Sequence, residues 1–183
     1  MAKKRILIVV DYQKDFVDGA LGFESAKNLD NGIASLMEEY AEDENGLIFC
    51  TFDTHGEDYM STQEGRKLPI EHCIKGTEGW KLYGDTEMAE IMYSTKCSRI
   101  EKPTFGSYEL MRRLDRIDRM DGVESITLVG VVTNMCVISN AVIAKAACPE
   151  AEIIIKKDLV DSFDKELHAK AIDVMKSMQM TIE

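Results

Sequence analysis

Apolar runs alternate with stretches of helical spacing along most of this 183-residue chain. Arg5–Val10 is almost continuously apolar, the pattern of a strand buried on both faces. Asn28–Glu42 spaces Ile33, Leu36, Met37 and Tyr40 along one side of a helix. Leu47–Phe52 predicts a second strand. Residues 53–82 lack clear periodicity and predict a long loop, which inside a compact domain is usually functional. Beyond it come a short helix over Asp85–Tyr93, a weaker third strand over Ser98–Glu101 and a helix over Ser107–Ile117. The Asp121-Gly122 turn follows. Ser125–Val131 predicts a fourth strand, Met135–Ala147 its helix, Glu152–Ile155 a fifth strand and Lys165–Met178 the closing helix. This order predicts an α/β fold of three layers, α/β/α, with a mostly parallel central sheet and right-handed crossovers.

Open parallel sheets bind ligands outside the carboxyl ends of their strands. Four predicted strands end there in chemically capable residues. The first ends at Asp11, and the second at Asp53 and His55. The third is followed by Glu101-Lys102, and the fourth leads through Thr133-Asn134 to Cys136. Cys136 sits near a strand-to-helix junction, where unpaired N–H groups favour a thiolate and can hold an oxyanion. As a thiolate it attacks a carbonyl carbon. Asp11 can take the thiol proton if burial raises its pKa, and later return it to a leaving nitrogen. Lys102 can hold Asp11 and stabilise the ion-paired state. The peptide N–H groups of Val132 and Cys136 are the candidate oxyanion donors. No histidine lies near Cys136 or Lys102 in sequence, so an Asp–Lys–Cys grouping stands in place of a Cys–His pair.

The long loop carries a second cluster. Asp53-Thr54-His55 puts two ligands on one face of an extended segment, and Glu64 and His72 lie farther along. Mixed oxygen and nitrogen donors suit a divalent metal, zinc foremost, with manganese and iron as alternatives. Cys73 is left out, because neighbouring side chains of an extended chain point opposite ways. Candidate pocket walls are Phe16, Tyr59, Trp80, Phe105 and Tyr108, with Phe16 and Tyr108 nearest the reactive residues in sequence. A flat heteroaromatic amide packs well against such rings.

Composition narrows the partners. The apolar fraction of 45% and charged fraction of 30% suit one globular domain spanning 1–183. A net charge of −11 argues against nucleic acid and anionic membranes and toward a small molecule or a second copy of the chain. The basic start, Met1 to Arg5, precedes an apolar run that Asp11 stops. That run is too short to span a membrane and reads as the first strand. Five cysteines without a C-x-x-C pair suit free thiols in a reducing, cytoplasmic setting.

Five separated motifs carry a resemblance. Val10-Asp11-Tyr12-Gln13-Lys14-Asp15-Phe16, Thr51-Phe52-Asp53-Thr54-His55, His72-Cys73-Ile74-Lys75-Gly76-Thr77-Glu78-Gly79, Lys102-Pro103-Thr104-Phe105-Gly106-Ser107 and Gly130-Val131-Val132-Thr133-Asn134-Met135-Cys136-Val137 occur in the order of one family. The chain resembles the cysteine hydrolases of the isochorismatase-like superfamily, especially nicotinamidases. The resemblance implies a Rossmann-like, isochorismatase-type fold. It implies catalytic Asp11, Lys102 and Cys136, metal ligands Asp53, His55 and His72, and Glu64 as a fourth ligand. It also implies a cis peptide near Val131-Val132, a closing helix region at Asp161, His168, Ala171 and Met175, and a homo-oligomer. Nicotinamidases often carry a longer aromatic- and proline-rich loop after Asp-x-His, where this chain has Gly56–Gly65. The expected activity is hydrolysis of a small heteroaromatic carboxamide through a thioester on Cys136. The alternatives are a carbamoyl, ureido or cyclic-imide substrate, or a ligand-binding relative that has lost turnover.

Overall fold

The computed structural model describes residues 2–183. Six strands form one sheet in the order β3-β2-β1-β4-β5-β6. They are β1 (Lys4–Val10), β2 (Gly46–Asp53), β3 (Cys97–Lys102), β4 (Val123–Val131), β5 (Glu152–Asp161) and β6 (Thr181–Ile182). Every neighbouring pair is parallel. Six α-helices accompany them: α1 (Lys14–Val17), α2 (Asp30–Glu42), α3 (Gly84–Met92), α4 (Tyr108–Asp121), α5 (Ile138–Ala147) and α6 (Lys165–Ser177). The sequence reading anticipated the five long strands. It missed α1 and β6, which are too short to show a period.

β1 is central, and its alternation sorts the layers. Ile6, Ile8 and Val10 join Leu110 and Leu114 of α4, Ala141 and Ala144 of α5, and Met175 of α6. Leu7 and Val9 face the other way, with Ile33, Met37 and Tyr40 of α2 and Ala89 of α3. A strand covered on both faces needs apolar residues at every position, which is why this run looked continuous. Each such side chain contributes roughly 1.5–3 kcal/mol by leaving water.

Two helix starts are fixed by the caps that stop them fraying. Ser107 Oγ accepts from Leu110 N at 3.1 Å at the start of α4. Asp164 accepts from the amides of Glu166 and Leu167 at the start of α6.

The chain runs outward from β1 through β2 to β3, then crosses to the far side of β1 as β4. The switch point therefore lies between β1 and β4, and the crevice at their carboxyl ends is the place for a ligand. Gly130 sits beside it at φ +108°, and a Cβ there would lie 2.2 Å from the Val10 carbonyl oxygen. Only glycine lets β4 pass so close to the end of β1.

Candidate active site

Three side chains meet at this crevice from three strands. Asp11 follows β1, Lys102 is the last residue of β3, and Cys136 lies beyond β4 in a π-helical turn, Thr133–Val137. The helix expected from Met135 is thus two pieces, the turn and then α5, because the turn is wound more widely than an α-helix. All three side chains are buried, with Asp11 fully so. Lys102 Nζ lies 2.6 Å from Asp11 Oδ2 and 3.6 Å from Cys136 Sγ. It also donates to the Thr104 carbonyl at 2.9 Å. Glu101, its neighbour, points outward to Lys75.

The two oxygens of Asp11 differ. Thr51 Oγ1 donates to Oδ1 at 2.7 Å. Oδ2 has the Lys102 contact and no further partner among the described residues. Burial raises the pKa of Asp11, with Lys102 opposing the shift. Burial also pushes the Cys136 thiol well up, again against Lys102. For Lys102 burial works the other way, but Asp11, Cys136 and Asp53 outweigh it and keep the ammonium charged. Burial thus favours the proton on both the thiol and the carboxyl group, and Lys102 opposes it at both. The peptide bond Val131-Val132 is cis.

Asn140 was not singled out in the sequence. Fully buried, it donates to the carbonyls of Cys136 (2.8 Å) and Phe105 (3.0 Å) and accepts from Ser107 N at 3.0 Å. One amide thereby ties the thiol turn to the segment after Lys102 and to the start of α4. Its position four residues beyond Cys136, one helical turn, was the available signal.

The second cluster is also assembled. Ligand atoms of Asp53, His55, Glu64 and His72 lie within 4.8 Å of one another. Asp53 Oδ2 is 3.0 Å from His55 Nε2 and 3.4 Å from His72 Nε2. Burial would raise the Asp53 pKa, but hydrogen bonds from both imidazoles hold it well below the usual range. His72 Nδ1 is 2.8 Å from the Ile70 carbonyl, an acceptor, so this nitrogen donates there; Nε2, which faces Asp53, is the nitrogen that would ligate a metal in place of its proton. Two imidazoles and two carboxylates converging this way fit a divalent metal of the zinc type. Cys73 lies outside the group, buried in the core beneath it.

The loop returns His72 to His55 through a parallel bridge between His55 and Ile74. Asp15 Oδ2 accepts from Cys73 N at 2.7 Å, which pins a residue at φ +48°. Gln13 holds the ligand strand by accepting from Asp53 N at 2.7 Å and donating to Asp53 O at 2.9 Å. Gln13 and Asp15 belong to the first motif, yet only the folded loop reveals these contacts.

The clusters touch, with Lys102 Nζ 3.5 Å from Asp53 Oδ1, and both border a cavity of about 290 Å³ lined mainly by apolar side chains. Phe16, Phe105, Val132, Cys136, Asp53, Glu64 and His72 all border it. Three of the expected aromatic walls lie elsewhere. Tyr59 packs on the rings of His55 and His72 and buttresses these candidate ligands instead. Trp80 packs on Phe52 and bonds Thr54 Oγ1. Tyr108 is 71% exposed. It borders a separate surface groove of about 670 Å³ that has no carboxylate, imidazole or thiol in its lining. Sequence proximity misled for Tyr108 because the first turn of α4 rotates it away from Lys102. Leu21, Leu68, Met135 and Phe163 are walls that the sequence did not reveal. Phe163 lies just past the carboxyl end of β5, which runs to Asp161 and not to Ile155 as the apolar run predicted, so the strand-end rule pointed short of it.

Fold and crevice together define a three-layer α/β protein with a ligand site at the carboxyl edge of its parallel sheet, the arrangement of an isochorismatase-type hydrolase. The Isochorismatase domain model matches residues 5–183, and the chain belongs to the isochorismatase family. It is similar to the nicotinamidase/pyrazinamidase of Bacillus subtilis, with 28% identity, TM-score 0.86 and 98% of each chain covered. The pyrazinamidase/nicotinamidase of Streptococcus mutans gives 29% identity and TM-score 0.85, covering 98% of this chain and 100% of that one. The pyrazinamidase of Pyrococcus horikoshii, solved in complex with zinc, gives 27% identity and TM-score 0.81, covering 98% of each. No curated protein gives a significant match. Among the described residues no helix is long and apolar enough to cross a membrane.

Proposed function

We propose that this hydrolase is a cysteine-dependent amidohydrolase that converts a small heteroaromatic carboxamide, of the nicotinamide or pyrazinamide type, to its acid and ammonia. The observation that carries the reading is the spacing around Lys102 Nζ: 2.6 Å to Asp11 and 3.6 Å to Cys136, at the wall of an apolar cavity. Asp11 takes the Cys136 proton as the sulfur attacks the carbonyl carbon. Lys102 keeps Asp11 oriented and balances the charge. The N–H groups of Val132 and Cys136 hold the tetrahedral oxygen. The intermediate collapses to a thioester as Asp11 returns the proton to the nitrogen, and ammonia leaves. Asp11 then activates water, the thioester is hydrolysed, and Cys136 recovers its proton.

Asp53, His55, Glu64 and His72 would hold the metal, proposed as zinc by similarity to the zinc-bound neighbour. Bound there, it would supply Lewis-acid and orienting chemistry at the cavity that Cys136 also borders. Phe16 and Phe105 bracket the ring, and Phe163 adds apolar surface.

The test is a carboxamide panel scored for ammonia with the zinc-loaded protein. It contains nicotinamide, pyrazinamide, benzamide, a ureido acid and a cyclic imide. Turnover of ring carboxamides supports the reading. Turnover confined to the ureido or imide members, or none at all, overturns it.

A further inference from the structure

Away from the crevice, two further cysteines are juxtaposed. Cys50 lies within β2, fully buried, and Cys97 is the first residue of β3 and half-buried. Their Sγ atoms are 3.3 Å apart. Cys97 stands opposite Ile48 and Cys50 opposite Arg99, so the two cysteines are diagonal neighbours across the strand pair. A disulfide bond is about 2.05 Å long, so the sulfurs must close by about 1.3 Å while the first residue of β3 shifts toward Cys50. The shift falls on the outer strand of the pair. β3 is the sheet edge, and Cys97 is the point where the chain enters it. Contact with Cys97, and then burial, holds the Cys50 thiol well above its ordinary range. Attack on an outside oxidant therefore falls to the half-exposed Cys97. Arg99, two residues along the same strand, exerts a positive field on both sulfurs, part of it offset by its bidentate pair with Glu90.

We propose that Cys50 and Cys97 are a peroxide-sensitive dithiol that closes to a disulfide between β2 and β3. The Cys97 thiolate attacks one oxygen of hydrogen peroxide. The O–O bond breaks, a sulfenic acid forms, and hydroxide leaves to take up the proton shed by Cys97. The Cys50 sulfur then attacks the Cys97 sulfur, its proton passes to the departing hydroxyl, and water is released. Two thiols lose two electrons, and one peroxide becomes two waters. The link joins the two strands that end in Asp53 and Lys102. It forms at the amino end of β3, so its chemistry is separate from that of Cys136. In a reducing compartment the dithiol form is the resting one, and a thiol reductant restores it.

The experiment treats the full chain with hydrogen peroxide, alkylates the remaining thiols under denaturing conditions and maps the peptides. The expected product is a cross-linked peptide containing Cys50 and Cys97, lighter by two hydrogens and split by dithiothreitol. The same cross-link forms in Cys136→Ala, and in Cys97→Ser Cys50 is recovered alkylated. Mapping of the unsubstituted chain decides the matter even if a variant folds poorly. Recovery of Cys50 and Cys97 alkylated or as separate sulfinic acids, or linkage of either to a different cysteine, overturns the proposal.

Discussion

The two walls of the cavity are built in different ways. Asp11, Lys102 and Cys136 come from the ends of β1, β3 and β4, and sheet hydrogen bonds set their separation. The candidate metal wall takes Asp53 from the last position of β2 and His55 from two residues beyond it, but Glu64 and His72 from a long loop with little regular structure. That loop holds its geometry through side chains elsewhere: Asp15 on Cys73, Gln13 on Asp53, and Tyr59 against both imidazoles. Register positions Asp11 and Lys102, with Asn140 alone bracing the turn that carries Cys136, whereas the metal wall rests mainly on buttresses. Changes to buttresses should therefore loosen metal while leaving the thiol side in place.

The largest expected effect is on the reactive wall. Asp11→Ala should lower kcat/KM for the best amide about 10³-fold or more, because it removes the proton carrier and frees Lys102. Lys102→Met should add a stability loss of about 3–5 kcal/mol in urea denaturation, since it leaves Asp11 buried without its counter-charge. On the metal wall, Asp15→Ala should weaken zinc affinity roughly 10–100-fold in competitive chelator titration, with the rate of Cys136 alkylation unchanged. An equal loss of thiol reactivity in that variant would erase the distinction between the walls. Asn140→Ala should cost about 1–3 kcal/mol, because it leaves the Cys136 and Phe105 carbonyls and the Ser107 amide without their partner.

The smallest effect concerns pH. In the proposed mechanism Asp11 is the base, so activity requires its ionised form and falls as pH drops through a folded pKa that burial has raised. Thr51 donates to the carboxylate and opposes that rise. Thr51→Val should move the acid limb of kcat/KM to higher pH, read from a pH–rate profile. A shift to lower pH would contradict the assignment of Asp11 as the base.

The same contrast explains what was legible in the sequence. Ile6 to Val10 and Ile126 to Val131 announce buried strands by composition alone, and a strand end tells where Asp11 and Lys102 must stand. The chemistry of the donor types marked His55 and His72 before any coordinates. Loop packing has no comparable period. Nothing in the order of residues says that Asp15 reaches Cys73, that Tyr59 faces two imidazoles, or that Leu68 borders the cavity. Tyr108 shows the converse error: closeness to Lys102 in sequence was taken for closeness in space, and one turn of α4 undid it. Asn140 was readable in principle, from its spacing to Cys136, but its three partners come from segments that only the fold assembles.

The central claim is acyl transfer to Cys136, and hydroxylamine partitioning tests it most directly. The zinc-loaded protein is given its best carboxamide with increasing hydroxylamine, and acid, hydroxamate and ammonia are measured together. A thioester on Cys136 predicts that hydroxamate grows at the expense of acid, and that Cys136→Ala yields neither product. Ammonia release by Cys136→Ala at a rate close to that of the unsubstituted chain, with acid as the sole acyl product, would contradict the account.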